Sequence, residues 1–518
     1  MSTKSNTPID FSEKSLLYCL YAAVLISFFY NIGNVPLYDL DEGAFAEATR
    51  EMLEREDYIS TYLNGQPRYD KPILIYWFQA LSVSYLGLNE FALRLPSALA
   101  SVLWVILVVV FVRRFIDKKT AYIAGIITAT CLSISIIGKT ATADALLNCL
   151  LAGSMLCFFA YYKARKRRFL YLFYLFVSLG FLTKGPVALL IPGVVSLIFL
   201  LIKKEARLWL SIAFSGVGIC IFLIIGLPWY VVQYLKEGQA FIDGFFLKHN
   251  VSRFQGPLEG HAGSIFYYLP IVLLASLPFT TVVLKVFTRY KDIIKDDFQL
   301  FLLLWFGFVV VFFSFSGTKL PHYVNYGLTG LAILMAIYIQ QLRSRFFAFL
   351  PIFIFFGVLL ALPNIVKVML PSIEDAYYQA SFAQYSDYFS LNYTWFFTFA
   401  LLVVGFFVLD KHYSIASKLM VSAVFMTFSI SAVLMPTVSA MLQNPVKEAA
   451  FIAKQAGVDP VMWRLNMPSF SVYLGQVVES RKPEVGEVVF TSPAYLTDLE
   501  DYQVLYEKNG VALVKLLE

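Results

Sequence analysis

Charge is scarce in this chain: of its 518 residues only 15% are Asp, Glu, Lys or Arg, against about 25% in soluble domains. So few charges cannot cover the surface of a water-soluble protein of this length, nor supply the basic face that a nucleic-acid enzyme needs. Cysteine is scarce too. The five, Cys19, Cys131, Cys149, Cys157 and Cys220, lie inside apolar stretches with no CxxC spacing, which excludes a secreted disulfide scaffold and a cysteine metal site. Strict polar–apolar alternation is absent from the apolar stretches, so they do not suit a membrane β-barrel.

What is abundant is apolar surface: 59% of residues are hydrophobic and 17% aromatic. They come in solid blocks such as Ala98–Val112, Ala121–Ile137, Val187–Ile202, Leu300–Phe315 and Leu328–Ile339. With its flanks, each approaches the roughly 20 residues that cross a bilayer as a helix. The net charge of +6 is concentrated in short connectors, at 113–119, 163–168, 203–204, 289–295, 343–345 and 411–418, where it sets topology rather than partners. Placing all of these inside demotes Pro72–Gly87 to a juxtamembrane or re-entrant helix. About thirteen spans remain, beginning near Leu16, Leu93, Thr120, Ala145, Phe169, Val187, Leu208, Ser264, Phe298, Tyr323, Phe346, Tyr393 and Leu419, with the N-terminus inside and the C-terminus outside. The first apolar run follows a polar start without a small-residue cleavage site, so it is expected to be retained. The expected fold is an all-α polytopic membrane protein over residues 1–436, with outer loops at 36–71 and 230–263. A small soluble α/β domain is expected over 437–518, with an opening helix at Pro445–Ala456 and strands at Val461–Leu465, Val488–Thr491, Val504–Tyr506 and Val511–Leu516.

Polar residues gather in the outer segments. In Asp39-Leu40-Asp41-Glu42-Gly43 the spacing of Asp39 and Glu42 fits a capping box, which leaves Asp41 as either a solvated first-turn carboxylate or a chemical one. Asp144, among small residues at the outer end of a span, is either a helix N-cap or half of a paired acidic site with Asp41. Lys71, His249, Arg253, His261, Lys319 and His322 lie on the same side. Singly each suits an interfacial residue reaching for water; sharing a cavity, they suit phosphate binding. Carboxylates beside such cations at the outer leaflet fit the displacement of a lipid-phosphate leaving group.

The motifs Tyr38-Asp39-Leu40-Asp41-Glu42-Gly43, Tyr69-Asp70-Lys71-Pro72, Ala141-Thr142-Ala143-Asp144-Ala145, Leu182-Thr183-Lys184-Gly185-Pro186, His249-Asn250 with Arg253-Phe254, and Thr318-Lys319-Leu320-Pro321-His322-Tyr323 occur in that order. Together they resemble the polyprenyl-phosphate-dependent glycosyltransferases of the GT-C fold, that is the dolichyl-phosphate-mannose protein mannosyltransferases and the bacterial aminoarabinose transferases that modify lipid A. The resemblance implies a sugar donor on undecaprenyl phosphate, a lipid, glycan or protein acceptor in the cell envelope, and a site facing the periplasm from the bacterial inner membrane. It implies Asp41 as the catalytic aspartate and Asp144 as the second acidic position, with Lys71, Arg253, Lys319 and Tyr323 on the lipid phosphate and His249 beside them. Lys184 is expected to be structural, at a helix break. The aminoarabinose transferases often carry Asp-Glu-Thr-Arg where this chain has Asp41-Glu42-Gly43-Ala44, closer to the broader family, which leaves the particular sugar, and lipid A as acceptor, open.

Two rivals share the composition: a lipid-linked sugar transporter or flippase, and a wall-polymer ligase or polymerase on the same fold. Transporters tend to carry repeated halves and midplane polar breaks, whereas the polar residues here sit in outer loops. No HExxH or Cys/His cluster is present, so no cofactor is certain, and any metal would be a divalent cation held by carboxylates.

Overall fold

The computed structural model describes residues 8–252, 254, 256 and 263–517. Arg253 and His261 therefore lie outside the described residues. The chain is mostly helical. Its first nine helices are α1 (Glu13–Val24), α2 (Asp41–Glu54), α3 (Leu74–Leu86), α4 (Glu90–Phe115), α5 (Lys118–Thr130), α6 (Leu132–Ile137), α7 (Asp144–Ala164), α8 (Arg167–Lys184) and α9 (Val187–Ile202).

Among the described residues, seven helices are long and apolar enough to cross a membrane, nine if two bent pairs each count as one. All nine fall at expected starts. The other four starts fall on α1, α5, α8 and α9, which do not meet the same test of length and apolarity. The demoted segment forms α3, a helix of 13 residues, too short at 1.5 Å per residue to cross a bilayer core of about 30 Å.

The basic connectors meet at one end of the bundle. Lys163 and Lys203 both pair with Asp297, at 2.5 Å each; Arg165 pairs with Glu205; Lys118 and Lys119 reach Glu13 and Asp10. Ile9 bridges Tyr413 in the connector that carries Lys411. Local charge complementarity thus gathers the ends of six helical segments.

The opposite end carries α2, α3, the hairpin β1 (Tyr62–Leu63) and β2 (Gln66–Pro67), and the last part of the chain. There the helix Asn444–Ala456 starts where expected. A four-stranded sheet follows in the order β3 (Pro460–Met462), β4 (Val488–Thr491), β6 (Val511–Leu516), β5 (Tyr502–Lys508). β3 and β4 are parallel, and the other pairs antiparallel. Phe470, from the helix Pro468–Leu474, stacks on Phe490 of β4 at 3.9 Å between ring centroids, joining that helix to the sheet.

α2 is the element that carries Asp41, and it is held on every side. Glu42 accepts a two-point ion pair from Arg94, at 2.8 and 2.7 Å, and also the backbone N–H groups of Tyr38 and Ala141. Arg94 spends its remaining donors on the carbonyls of Ile32, Val35 and Pro36. Both charges are buried, and their donors and acceptors are matched, which is the condition for such a pair to be tolerated. The expected capping box does not form. The Asp39 carboxylate lies against Gly43 of α2 and accepts from the N–H of Ser469 at 3.0 Å and from its hydroxyl. A capping aspartate and a tethering one share the same local spacing; the partner 430 residues away decides between them.

Candidate functional site

Asp41 is the first residue of α2 and is exposed. One helical turn on, the carbonyl of Ala44 accepts from Arg68 at 2.6 Å, and Arg68 lies 5.0 Å over the ring of Phe45. The other arm of Arg68 reaches Asp70 at 3.3 Å. Asp70 in turn holds Lys71 at 2.6 Å and the Nδ1 of His249 at 3.2 Å. Burial by itself would raise the Asp70 carboxyl; Lys71, Arg68 and His249 outweigh it and hold that carboxyl far below the usual carboxylate range.

A second cluster faces the first. Asp144 opens α7 with Ala143 in the capping position, so its carboxylate is free of the N-cap role the sequence allowed. It takes Lys184 at 2.6 Å and the hydroxyl of Tyr326 at 3.3 Å, with the Nε2 of His322 at 3.9 Å. Lys184 ends α8, and the turn behind it requires glycine: Gly185 has φ +73°, and a Cβ there would stand 2.6 Å from Phe245. The helix break expected at Lys184 is present, and it delivers the ammonium to Asp144.

The two clusters share one electrostatic environment. The charge of Lys71 acts on Asp144 and His322, and that of Asp41 acts on Arg68 and His322. They border a cavity of about 460 Å³ with Asp70, Lys71, Lys184, His249, Tyr323 and Tyr326 on its polar side. The rest of the wall is Phe245, Phe246, Phe254, Phe312, Phe313, Val187 and Leu190. Tyr323 packs on Phe313, 4.6 Å between centroids, so the polar and aromatic parts of the wall are continuous.

Of the anticipated residues, Lys71, His249 and Tyr323 line this space, whereas Asp41, Asp144, His322, Lys319 and Glu42 do not. Lys319 is buried and donates to the carbonyl of Ser316 at 2.6 Å, securing the loop that presents Tyr323. Glu42 is committed to Arg94. Arg68, Asp70, Lys184, Tyr326 and the phenylalanine wall were absent from the anticipated set. Asp70 and Lys184 stood inside quoted motifs, and Lys71 and Gly185-Pro186 beside them were the available signals; nothing local marks Tyr326. Among the described residues no three His, Cys, Asp or Glu side chains come together as a metal-holding group.

Comparison with known proteins places these residues in context. The family profile described as dolichyl-phosphate-mannose-protein mannosyltransferase matches residues 70–231, a stretch holding Asp70, Lys71, Asp144 and Lys184. The undecaprenyl phosphate-alpha-4-amino-4-deoxy-L-arabinose arabinosyl transferase of Yersinia enterocolitica is 30% identical over 62% of this chain and 60% of its own length. An uncharacterized protein of Aquifex aeolicus is 30% identical over 65% of this chain and 78% of its own. The chain thus spans about three fifths of the curated transferase it matches. Among solved structures, ArnT from Cupriavidus metallidurans bound to undecaprenyl phosphate superposes with a TM-score of 0.84 at 19% identity, covering 98% of both chains. That likeness establishes the fold.

Proposed function

The chain belongs to the polyprenyl-phosphate-dependent glycosyltransferases of the GT-C fold, and we propose that it moves a sugar from undecaprenyl phosphate to an acceptor at the periplasmic face of the bacterial inner membrane. The observation that carries this reading is one cavity in which Lys71, Lys184 and Asp70 give way to an aromatic wall. A lipid phosphate is an anion on an apolar chain, and this wall offers a partner to each part.

In this reading thirteen segments cross the membrane, α1 together with the helical turn Leu25–Phe29 and α5 together with α6 each making one of them, and residues 437–518 form a periplasmic α/β domain over the cavity. Lys71 and Lys184 face the donor phosphate, with His249 and Tyr323 beside it and Lys319 holding the loop; Arg253 takes the phosphate-binding role that the resemblance implies. Asp144 holds Lys184 in place through their ion pair, with His322 adjoining. Asp41 takes the proton of the acceptor hydroxyl, or orients it, as the acceptor oxygen bonds to the anomeric carbon. The bond from that carbon to the phosphate oxygen breaks with its electron pair on the phosphate, where the fixed cations stabilise it better than reorganising water would. The acceptor is a lipid or glycan of the envelope, lipid A first among them, and the aminoarabinose donor named for the relatives is the first sugar to try.

The test is reconstitution of the purified chain with radiolabelled undecaprenyl-phosphate aminoarabinose and lipid A. Label appearing on lipid A supports the reading. Label that merely crosses the vesicle, still on its lipid, makes the protein a flippase. Label reaching neither fate sends the search to other sugars through the envelope glycans missing from a deletion strain.

A further inference from the structure

A second cavity, of about 370 Å³, lies where the helix Asn444–Ala456, the end of the helix Pro468–Leu474 and the start of α4 meet. It shares no lining residue with the transfer cavity. Lys447, Phe451 and Lys454 stand four and three residues apart, so they form one stripe on their helix. Lys447 pairs with Glu90 at 2.5 Å and lies 5.0 Å over the ring of Tyr473. Glu90 is buried and also accepts from the Tyr473 hydroxyl at 3.0 Å.

Among the described residues Glu90 is the only carboxylate on this wall, and Lys447 takes it. Lys454 is left as a second, exposed cation, its ammonium beside Gly475 at the end of the facing helix. The cavity therefore carries one uncompensated positive charge. The N-terminal end of α4, another source of positive potential, points at it.

Its rim is apolar. Leu88 and Phe451 are 39% and 44% exposed, and α4, a helix long and apolar enough to cross a membrane, starts here. Exposed leucine and phenylalanine below a cation, at the end of a spanning helix, match the layering of a lipid: acyl chain, then phosphate. We propose that this cavity binds the phosphate-bearing headgroup of an anionic lipid, the phosphate between Lys454 and Lys447 and the acyl chains against Leu88 and Phe451. The site is separate from the transfer cavity and stands whether or not the sugar-transfer reading does.

The test is native mass spectrometry of the detergent-solubilised full chain, titrated in turn with dioleoyl phosphatidic acid, with dioleoylglycerol, which lacks the phosphate, and with inorganic phosphate. Each titration is run on the parent chain and on Lys454→Glu and Lys454→Gln. Lys454 is exposed, so both variants should fold, and phosphatidic acid taken up by the transfer cavity cancels in the comparison. The expected result is one phosphatidic acid site weakened roughly tenfold or more by Lys454→Glu, the effect of removing one interfacial cation and adding an anion. Lys454→Gln should weaken it less, and dioleoylglycerol should not be retained. Equal retention of phosphatidic acid by all three proteins would overturn the proposal. So would equal retention of dioleoylglycerol, or displacement of the lipid by inorganic phosphate at matched concentration, which would make this a free-phosphate site.

Discussion

Asp41 and Asp39 stand two residues apart and differ in every physical respect. Asp41 is exposed at the mouth of α2, and its substitution by Asn removes a proton acceptor while keeping the shape. The folded chain should then keep its thermal midpoint, and transfer should fall by about 10²–10⁴-fold, the usual worth of a positioned base; undiminished turnover in the reconstituted assay would remove Asp41 from the mechanism. Asp39 is tethered to Ser469. Burial pushes its carboxyl up to about 7, against the two Ser469 donors that hold it down. Unfolded, the same group ionises near ~4. Between those values unfolding releases a proton, so this residue makes the protein less stable as pH rises. In Asp39→Asn the amide oxygen can still accept from the Ser469 N–H and the pH-dependent part disappears. Melting curves of parent and variant should therefore converge below about pH 4 and separate above about pH 7, with the variant the more stable there. Parallel curves would assign the carboxyl an ordinary acidity.

The junction of α2 with the helix Pro468–Leu474 shows how an element far along the chain sets a site at its start. Gly43 sits at the closest approach. A Cβ there would stand 2.0 Å from an Asp39 carboxylate oxygen and 2.7 Å from the Ser469 nitrogen. Gly43→Ala must push the helix Pro468–Leu474 away from α2, a strain of about 1–3 kcal/mol by analogy with overpacked cores. The expected outcome is a lower thermal midpoint together with faster proteolysis of the C-terminal segment, while α4 and α7 stay protected. A variant that melts with the parent would mean the contact gives way freely. This junction is also where the sequence was least legible. The 3.6-residue and two-residue periodicities pointed to a helix at Pro445–Ala456, observed at Asn444–Ala456, and to the strands Val488–Thr491 and Val511–Leu516, because burial against a nearby partner imprints a local pattern. The tether from Asp39 to Ser469 and the pair of Glu42 with Arg94 leave no such imprint, since their spacing along the chain is arbitrary. Asp144 and Lys71 were visible as charges in outer segments; Arg68 and Tyr326 were not, because an arginine in an acidic loop and a tyrosine in an apolar helix look ordinary until the fold brings them to a cavity.

For the whole molecule, the two ends of the bundle carry different chemistry. One end collects the basic connectors into small ion-pair clusters at Asp297, Glu205 and Glu13; the other collects Asp41, Asp70, Asp144 and the sheet. That separation is what the positive-inside rule leads one to expect, and it converts a charge count into an orientation. The thirteen crossings of the proposed reading would put the two termini on opposite sides, which can be checked without any substrate. In a chain with its five cysteines replaced, Lys166→Cys lies in a basic connector and Lys482→Cys beyond the sheet strand Pro460–Met462. Spheroplasts treated with a membrane-impermeant maleimide should label Lys482→Cys and spare Lys166→Cys until the membrane is opened. Labelling of both from outside, or of Lys166→Cys alone, would reverse or break the topology and take the cavity of Lys71 and Lys184 away from the face where an acceptor in the periplasm could meet it.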